Sequence, residues 1–533
     1  MAEKVSRASV LISLVWMLVV FQSSCGGGAS KSPPPPPPPP PPTLSIITAA
    51  LVDGMVTFPY NQTIQATGGV APFTWSVSSG SLPHSLTLGS SSTNSVTISG
   101  TADTAQSATF AIQIKDAKNQ TTAQSYTVNI HNPGLVQVQA VSGSVAAGTI
   151  EIQGVSAGPF NPLSWQQNTL NWVPDVRTPM LAPQPGAFQN IYSPWPLQQP
   201  NGWLLFYGGW DGTATSNDRV YNLSTPDFLS FGPRSLVIDH GAFLHVNNVN
   251  VTQLPDGSMH MICTVLIDPN DLDKPAYFSS PDGLTWNGSP EPYSAQLSDR
   301  VSIPDDPIYA NTDYNGGNVL MWDNNAWTLY YNNGVFGGNG KVYRATSTSI
   351  PQFHSAGSVL DTSHYANDVK KFQVGGKNWY VMALYIERVA LDPNPPTFSY
   401  SLSNDGITFG PENRLFGGTL PQDQFVTTPA FVTKGSSILG VLYGANPLDV
   451  LNAANQIFAR WLQKKVIIAD SSGVQYSTQI SFGPDRQWFQ APSSGSLQGT
   501  ITIYAEDGIT PLGKGSVNLS GGKAYQLLVS GGG

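Results

Sequence analysis

The sequence predicts an all-β protein organised around a five-bladed β-propeller, and three observations carry that reading. The first is composition: only 11% of the 533 residues are charged, while 52 Gly and 44 Pro accompany 13 Trp, 20 Tyr and 22 Phe. Aromatic residues suit the pleated surface of strands, and Gly and Pro supply the turns between them. The second is a four-strand unit, clearest between residues 244 and 290. There the apolar run 246–254 meets a turn at Pro255-Asp256-Gly257, and a second run, 259–267, follows. An acidic stretch then leads to Ala276-Tyr277-Phe278, and Ser280-Pro281-Asp282-Gly283-Leu284-Thr285-Trp286 turns the chain into a last strand. The third is recurrence. First-strand runs start near Phe188, His245, Gly317, His364 and Gln424, each followed by a turn and a second apolar run at 203–207, 259–263, 327–331, 379–384 and 438–443. Repeats of this period build propellers or solenoids. Five meanders closed on one axis leave few exposed strand edges. The expected propeller spans 165–470.

The N-terminus carries an address. Lys4 and Arg7 precede the apolar run 10–21, too short for an ordinary membrane span and suited to a secretory signal. Ser23-Ser24-Cys25-Gly26 resembles a bacterial lipobox, with Gln22 in place of the usual small or apolar residue. The resemblance implies a signal peptide over 1–25, lipidation of Cys25 and a membrane partner reached through that anchor. The following segment, 26–43, fits a tether: Gly26-Gly27-Gly28 is flexible, and the unbroken proline run 33–42 is a semi-rigid spacer. The expected location is therefore extracytoplasmic, at the cell envelope. Cys263 lies inside an apolar strand and reads as a small buried hydrophobe, so stability rests on burial and not on cross-links. A net charge of −9 and a pI near 5.2 argue against nucleic acid as a partner.

Residues 44–131 read as alternating strands with turns at Gly68-Gly69, Ser79-Gly80 and Ser99-Gly100. The segments 66–75 (ATGGVAPFTW), Gly80-Ser81-Leu82-Pro83, Leu86-Thr87-Leu88 and Ile98-Ser99-Gly100-Thr101, with Phe110 and Asp116, resemble the immunoglobulin-like module of bacterial surface proteins. That resemblance implies an Ig-like β-sandwich with Trp75 in its core. Residues 132–164 hold two strand-like runs, too few for a domain. Paired with strands in 471–533, they are expected to complete a small C-terminal β-sandwich made from both ends of the chain.

Ser280–Trp286 and Ser403-Asn404-Asp405-Gly406-Ile407-Thr408-Phe409 share one pattern, which resembles the Asp-box of sialidases and other secreted propellers. It implies structural turns opposite the ligand face, with Asp282 and Asp405 as turn-builders.

A ligand site is expected where first strands begin and second strands end. First-strand starts offer Asn190, Tyr192, Ser193, Trp195, His245, Asn247, Asn248, Asn318, His364, Asn367, Asp368 and Thr428. Second-strand exits offer Trp210, Asp211, Asp268, Asn332, Asn333, Glu387 and Arg388. Amides, carboxylates and His mixed with Trp and Tyr suit a carbohydrate, whose rings need flat apolar faces and whose hydroxyls need donors and acceptors. The whole resembles secreted five-bladed glycosidases of the arabinanase, β-xylosidase and levanase class. Those enzymes are expected to place acids on several first strands. Here Tyr192-Ser193-Pro194, Asn247-Asn248 and Asn318 occupy such places, and only Asp368 keeps a carboxylate. Asp368 and Glu387, with Asp211 or Asp268, form the candidate acid and base set; an Asn does not relay a proton. His245 and His364 read as packing residues or ion ligands. The sequence shows no metal-ligand spacing, nucleophile elbow or phosphate loop, and none of its motifs requires a cofactor. Three functions stay open: a glycoside hydrolase, a non-catalytic glycan-binding or adhesion protein on a degenerate glycosidase propeller, and a surface scaffold.

Overall fold

The computed structural model describes residues 43–184, 190–210, 217–267, 273–306, 317–332, 340–386, 397–417, 425–446, 455–477 and 480–531. The chain is all-β. Its N-terminal part is a sandwich of two four-stranded sheets. One holds Ser45–Ile46, Pro59–Thr67, Ser95–Thr101 and Leu86–Leu88; the other holds Gly54–Met55, Thr121–His131, Gln106–Lys115 and Thr74–Gly80. Strict in-out alternation along Pro59–Thr67 sends Tyr60, Ile64 and Ala66 inward, onto Ile98, Ile112, Ile114 and Trp75. Trp75 is a core residue whose Nε1 donates to Thr93 O at 3.0 Å. Buried Asp116 accepts backbone N–H groups from Val70, Lys118 and Gln120, which locks the Gly68-Gly69 loop against a neighbouring turn.

Segments from either side of the propeller build the second sandwich. Gly134–Ser144 and Thr149–Gln153 enter a nine-stranded sheet whose other strands lie between Lys465 and Val529. Gly134–Ser144 pairs parallel with Pro511–Ser520 at its start and antiparallel with Lys523–Val529 beyond. The sheet folds over one core that includes Ile150, Ile152, Ile468, Ile501, Ile503 and Leu519. The sequence reading carries the propeller to Asp470. Lys465–Asp470 instead pairs with Ser496–Tyr504 and Gln475–Ser477 in the sandwich. Its alternating burial suits the edge of a blade equally well, and only the partner strand distinguishes the two.

Between the sandwiches lies the propeller. Its inner strands are Asn190–Gln199, His245–Gln253, Asn318–Asp323, Tyr365–Val374 and Phe425–Lys434. Each touches the next and the fifth touches the first, so the ring closes. Each inner strand pairs with a second strand and that with a third: Gly202–Trp210 and Arg219–Thr225, Met259–Leu266 and Lys274–Ser280, Ala326–Asn332 and Lys341–Ser347, Lys377–Tyr385 and Thr397–Ser403, Ser437–Asn446 and Gln456–Leu462. The fifth blade borrows its outer strand, Trp172–Pro174, from the start of the propeller segment, which fastens the circle. A hydrogen bond crosses every blade junction. Trp195 Nε1 donates to Val251 O, Leu320 N to Asn250 Oδ1, Ala366 N to Asn332 Oδ1, Phe431 N to Asp368 Oδ2, and Ser193 N to Thr428 Oγ1.

Inner strands run from an upper face to a lower one. The lower face carries the turns between third and fourth strands. Asp282 Oδ1 accepts from Leu284 N at 2.8 Å and Thr285 N at 2.7 Å, and Asp405 Oδ1 accepts from Ile407 N and Thr408 N, both at 2.8 Å. Gly283 and Gly406 sit at φ of 77° and 69°, where a side chain is disfavoured. Each turn aims an aromatic residue between blades, and Trp286 is fully buried there. These backbone bonds hold both carboxyls below the usual carboxylate range.

Candidate functional site

The upper face begins with irregular inner strands. Those of blades one, two and five slip register between Tyr192 and Trp195, Asn247 and Asn250, and Thr427 and Ala430, and that of blade four slips between Ala366 and Asp368. At these bulges Ser193, Asn248 and Thr428 adopt left-handed backbone, with φ of 51°, 50° and 49°. For a residue with a Cβ that conformation costs about 1–2 kcal/mol, and such strain concentrates at functional sites. A bulge also re-aims the neighbouring side chains.

Blades one and two share a buried polar floor just above these bulges. Asn247 Nδ2 donates to the Tyr192 hydroxyl oxygen at 3.0 Å and lies 3.3 Å from Asp218 Oδ2. A carboxylate only accepts, so the amide nitrogen faces Asp218 and Asn247 Oδ1 points away. That oxygen is buried and accepts no hydrogen bond among the described residues. Close by in sequence, His245 Nε2 lies 3.0 Å from Asp273 Oδ1, and both side chains are largely buried. Asn318 Nδ2, on blade three, donates to Thr264 Oγ1 at 3.0 Å; Thr264 is the strand partner of Asn247.

Where blade five meets blade one, Asn190 Oδ1 accepts from Asn455 N at 2.6 Å, while buried Asn190 Nδ2 has no partner among the described residues. The indole nitrogen of half-buried Trp210 likewise donates to none. Between blades three and four, His364 Nδ1 lies 3.0 Å from Glu412 Oε2. Burial raises the Glu412 carboxyl, but His364 and the hydroxyls of Ser399 and Thr362 outweigh it and hold the group below its usual range.

The structure therefore joins Tyr192 and Asn247 directly and puts His245, Asn318 and Asn190 on the same face. His364 pairs with Glu412 instead, and the Asn248 side chain is buried at its bulge. Three residues stand elsewhere. Asp368, expected as a surface acid, is fully buried. Lys370 Nζ lies 3.0 Å from its Oδ1 and Phe431 N donates to its Oδ2, so it ties blade four to blade five. Burial pushes its carboxyl above the ordinary range, against the pull of Lys370. Asn367 beside it is also a tie, donating to Pro429 O. Trp195 belongs to the lower mouth of the channel, where Lys370 Nζ lies 4.0 Å from its ring and it lines a recess with Gln198 and Gln253. The alternation of a strand sends these residues inward, and the bulge then decides which way inward they face. Asp211, Asp268, Asn333, Glu387, Arg388 and Cys25 lie outside the described residues.

Sequence reasoning missed Asp218, Asp273 and Asn455. Each immediately precedes a third strand. First and third strands of a blade run the same way, so both begin on the upper face. The signal lay in Asp218-Arg219 and Asp273-Lys274, an acid and a base before the aromatic third strand. Among the described residues no group of three or more His, Cys, Asp or Glu is placed to hold a metal ion.

Several solved structures resemble this chain at low identity. The catalytic domain of a GH62 α-L-arabinofuranosidase from Coprinopsis cinerea is 14% identical with a TM-score of 0.41, over 55% of this chain and 97% of that one. The α-L-arabinofuranosidase PaAbf62A from Podospora anserina, in complex with cellotriose, is 12% identical with a TM-score of 0.38, over 55% and 96%. A thermostable family-43 glycoside hydrolase is 11% identical with a TM-score of 0.38, over 56% and 95%. No curated protein matches the chain. Residues 41–131 match the family described as "Putative Ig domain", and the N-terminal sandwich is an Ig-like domain of that family.

Proposed function

We propose that the propeller binds a carbohydrate at its upper face, over blades one and two. The observation that supports this reading best is Asn247. Its nitrogen is committed to Tyr192 and Asp218, and its buried oxygen is left to accept a hydrogen bond. A buried acceptor without a partner is costly, by about 1–3 kcal/mol, and a ligand hydroxyl relieves that cost. Trp210 and Tyr192 add the flat surfaces that sugar rings use. A glycan array screened with the full chain and with Asn247→Ala tests it: binding by the parent and loss by the variant support the site, and equal binding by both removes it.

Glycoside hydrolysis is the second reading, favoured by one observation. Asp218 and Asp273 occupy equivalent places on adjacent blades, and acid and base catalysis of this reaction uses a pair of carboxylates. Asp218→Asn or Asp273→Asn should then lower turnover of a bound oligosaccharide about 10²–10⁴-fold while leaving it bound. The reading also includes a lipid anchor on Cys25, holding the domains off a membrane through the proline stalk. Mass spectrometry of the mature protein from a bacterial host checks this, since an N-terminal diacylglyceryl cysteine is required.

A further inference from the structure

A groove of about 510 Å³ lies away from the propeller channel, where three domains meet. Its size falls in the ~300–1,000 Å³ range of small-molecule sites. One wall is the Ig-like strand Pro59–Thr67 with residues 47–50. Another is the helix Pro162–Gln167 with Thr169, and Ile509 of the C-terminal sandwich closes one side. Among the described residues, no charged side chain lines it. Its polar surface comes instead from the carboxamides of Asn61, Gln65, Gln166 and Gln167, together with threonines. Gln167 Oε1 and Thr169 Oγ1 are shut off from solvent and have no hydrogen-bond partner among the described residues.

Carboxamides donate and accept at once, as sugar hydroxyls do. A charged ligand would lose its hydration here with no counter-charge to offset the loss. A polypeptide docking by strand addition would need free backbone groups, and two of those at the groove edge are already taken. Ile47 N donates to Gln65 O at 2.9 Å, and Thr48 O accepts the Tyr126 hydroxyl at 2.8 Å. The helix is held firmly. Asn161 Oδ1 caps it by accepting from Leu163 N, left-handed Asn168 ends it, and buried Trp165 anchors it on Tyr400 and Phe431. Gln166 and Gln167 are therefore presented from a fixed element, which lowers the ordering cost of binding.

We infer that this groove is a second carbohydrate site, independent of the propeller face and selective for neutral oligosaccharides over uronate-bearing ones. Isothermal titration calorimetry of the full chain against xylohexaose, cellohexaose, mannohexaose and tetragalacturonate tests it. With the upper face disabled by Asn247→Ala, at least one neutral hexaose should still bind, and adding Gln65→Ala/Gln167→Ala should weaken that remaining binding about tenfold or more. Tetragalacturonate should not compete for it. Exposed Gln65→Glu, isosteric and harmless to the fold, repeats the measurement if the double variant does not fold, with the same loss expected. Absence of binding by all three neutral hexaoses, binding indifferent to these substitutions, or equal competition by tetragalacturonate overturns the inference. Equal binding by the parent and by Asn247→Ala removes only the upper-face site and leaves the groove standing.

Discussion

The two faces of the propeller use aspartate in opposite ways. On the lower face, Asp282 and Asp405 bond only the backbone and hydroxyls of their own turns. On the upper face, Asp218 reaches Asn247 on the next blade, and Asp273 reaches His245 at the start of another strand. A carboxylate that satisfies its own turn is spent on structure. One that orients a side chain from a separate strand builds a surface with directed donors and acceptors. The difference is one of sequence distance: two or three residues on the lower face, and twenty-eight or twenty-nine on the upper. The same residue type in the same fold is thus mortar at one end and site at the other.

The most severe test of this contrast uses an aspartate that belongs to neither face. Asp368→Ala strips Lys370 of its buried partner and leaves Phe431 N–H unpaired. Removing one member of a buried ion pair costs about 3–5 kcal/mol. Denaturant unfolding should show that loss, with the propeller transition moving first. A neutral result would mean that the aspartate does not tie blades together and would reopen it as a ligand group.

Next in size is Asn247→Ala. Binding of a glycan at the upper face should weaken about tenfold, which is about 1.4 kcal/mol, with little change in melting temperature. Asp218→Asn should weaken it less, because the isosteric amide keeps its place but lets the Asn247 amide turn over. Calorimetry on both variants orders the two effects, and the reverse order would show that Asp218 itself touches ligand.

The smallest effect belongs to the lower face. Asp282→Asn and Asp405→Asn should lower thermal stability slightly and leave glycan binding untouched. Both carboxyls are held below their ordinary value in the folded chain, chiefly by backbone N–H donors. A depressed carboxyl stabilises the fold fully above its unfolded pKa, near 4, and loses that contribution as pH falls through the folded value. Melting curves between pH 5 and pH 2 should therefore converge for parent and variant at the acid end. A gap that stays constant with pH would assign the loss to packing and not to charge.

Much of this molecule is written locally. Alternation along Pro59–Thr67 and the paired glycines after it specify a sandwich strand and its loop. The five meanders announce themselves because every blade repeats an aromatic third strand and a short turn, and inner strands begin within about two residues of where the repeats place them. Period-2 burial and turn chemistry act over a few residues, so a linear chain carries them openly. The ring closure at Trp172–Pro174, the loss of Lys465–Asp470 to the sandwich and the burial of Asp368 are another matter. So are the arrival of Asp218 beside Asn247 and the meeting of three domains over the carboxamide groove. Each depends on which strand lies next to which, and at the bulges on which side of the strand a residue leaves. Partner choice is settled by burial summed across segments tens to hundreds of residues apart, and no local pattern records it.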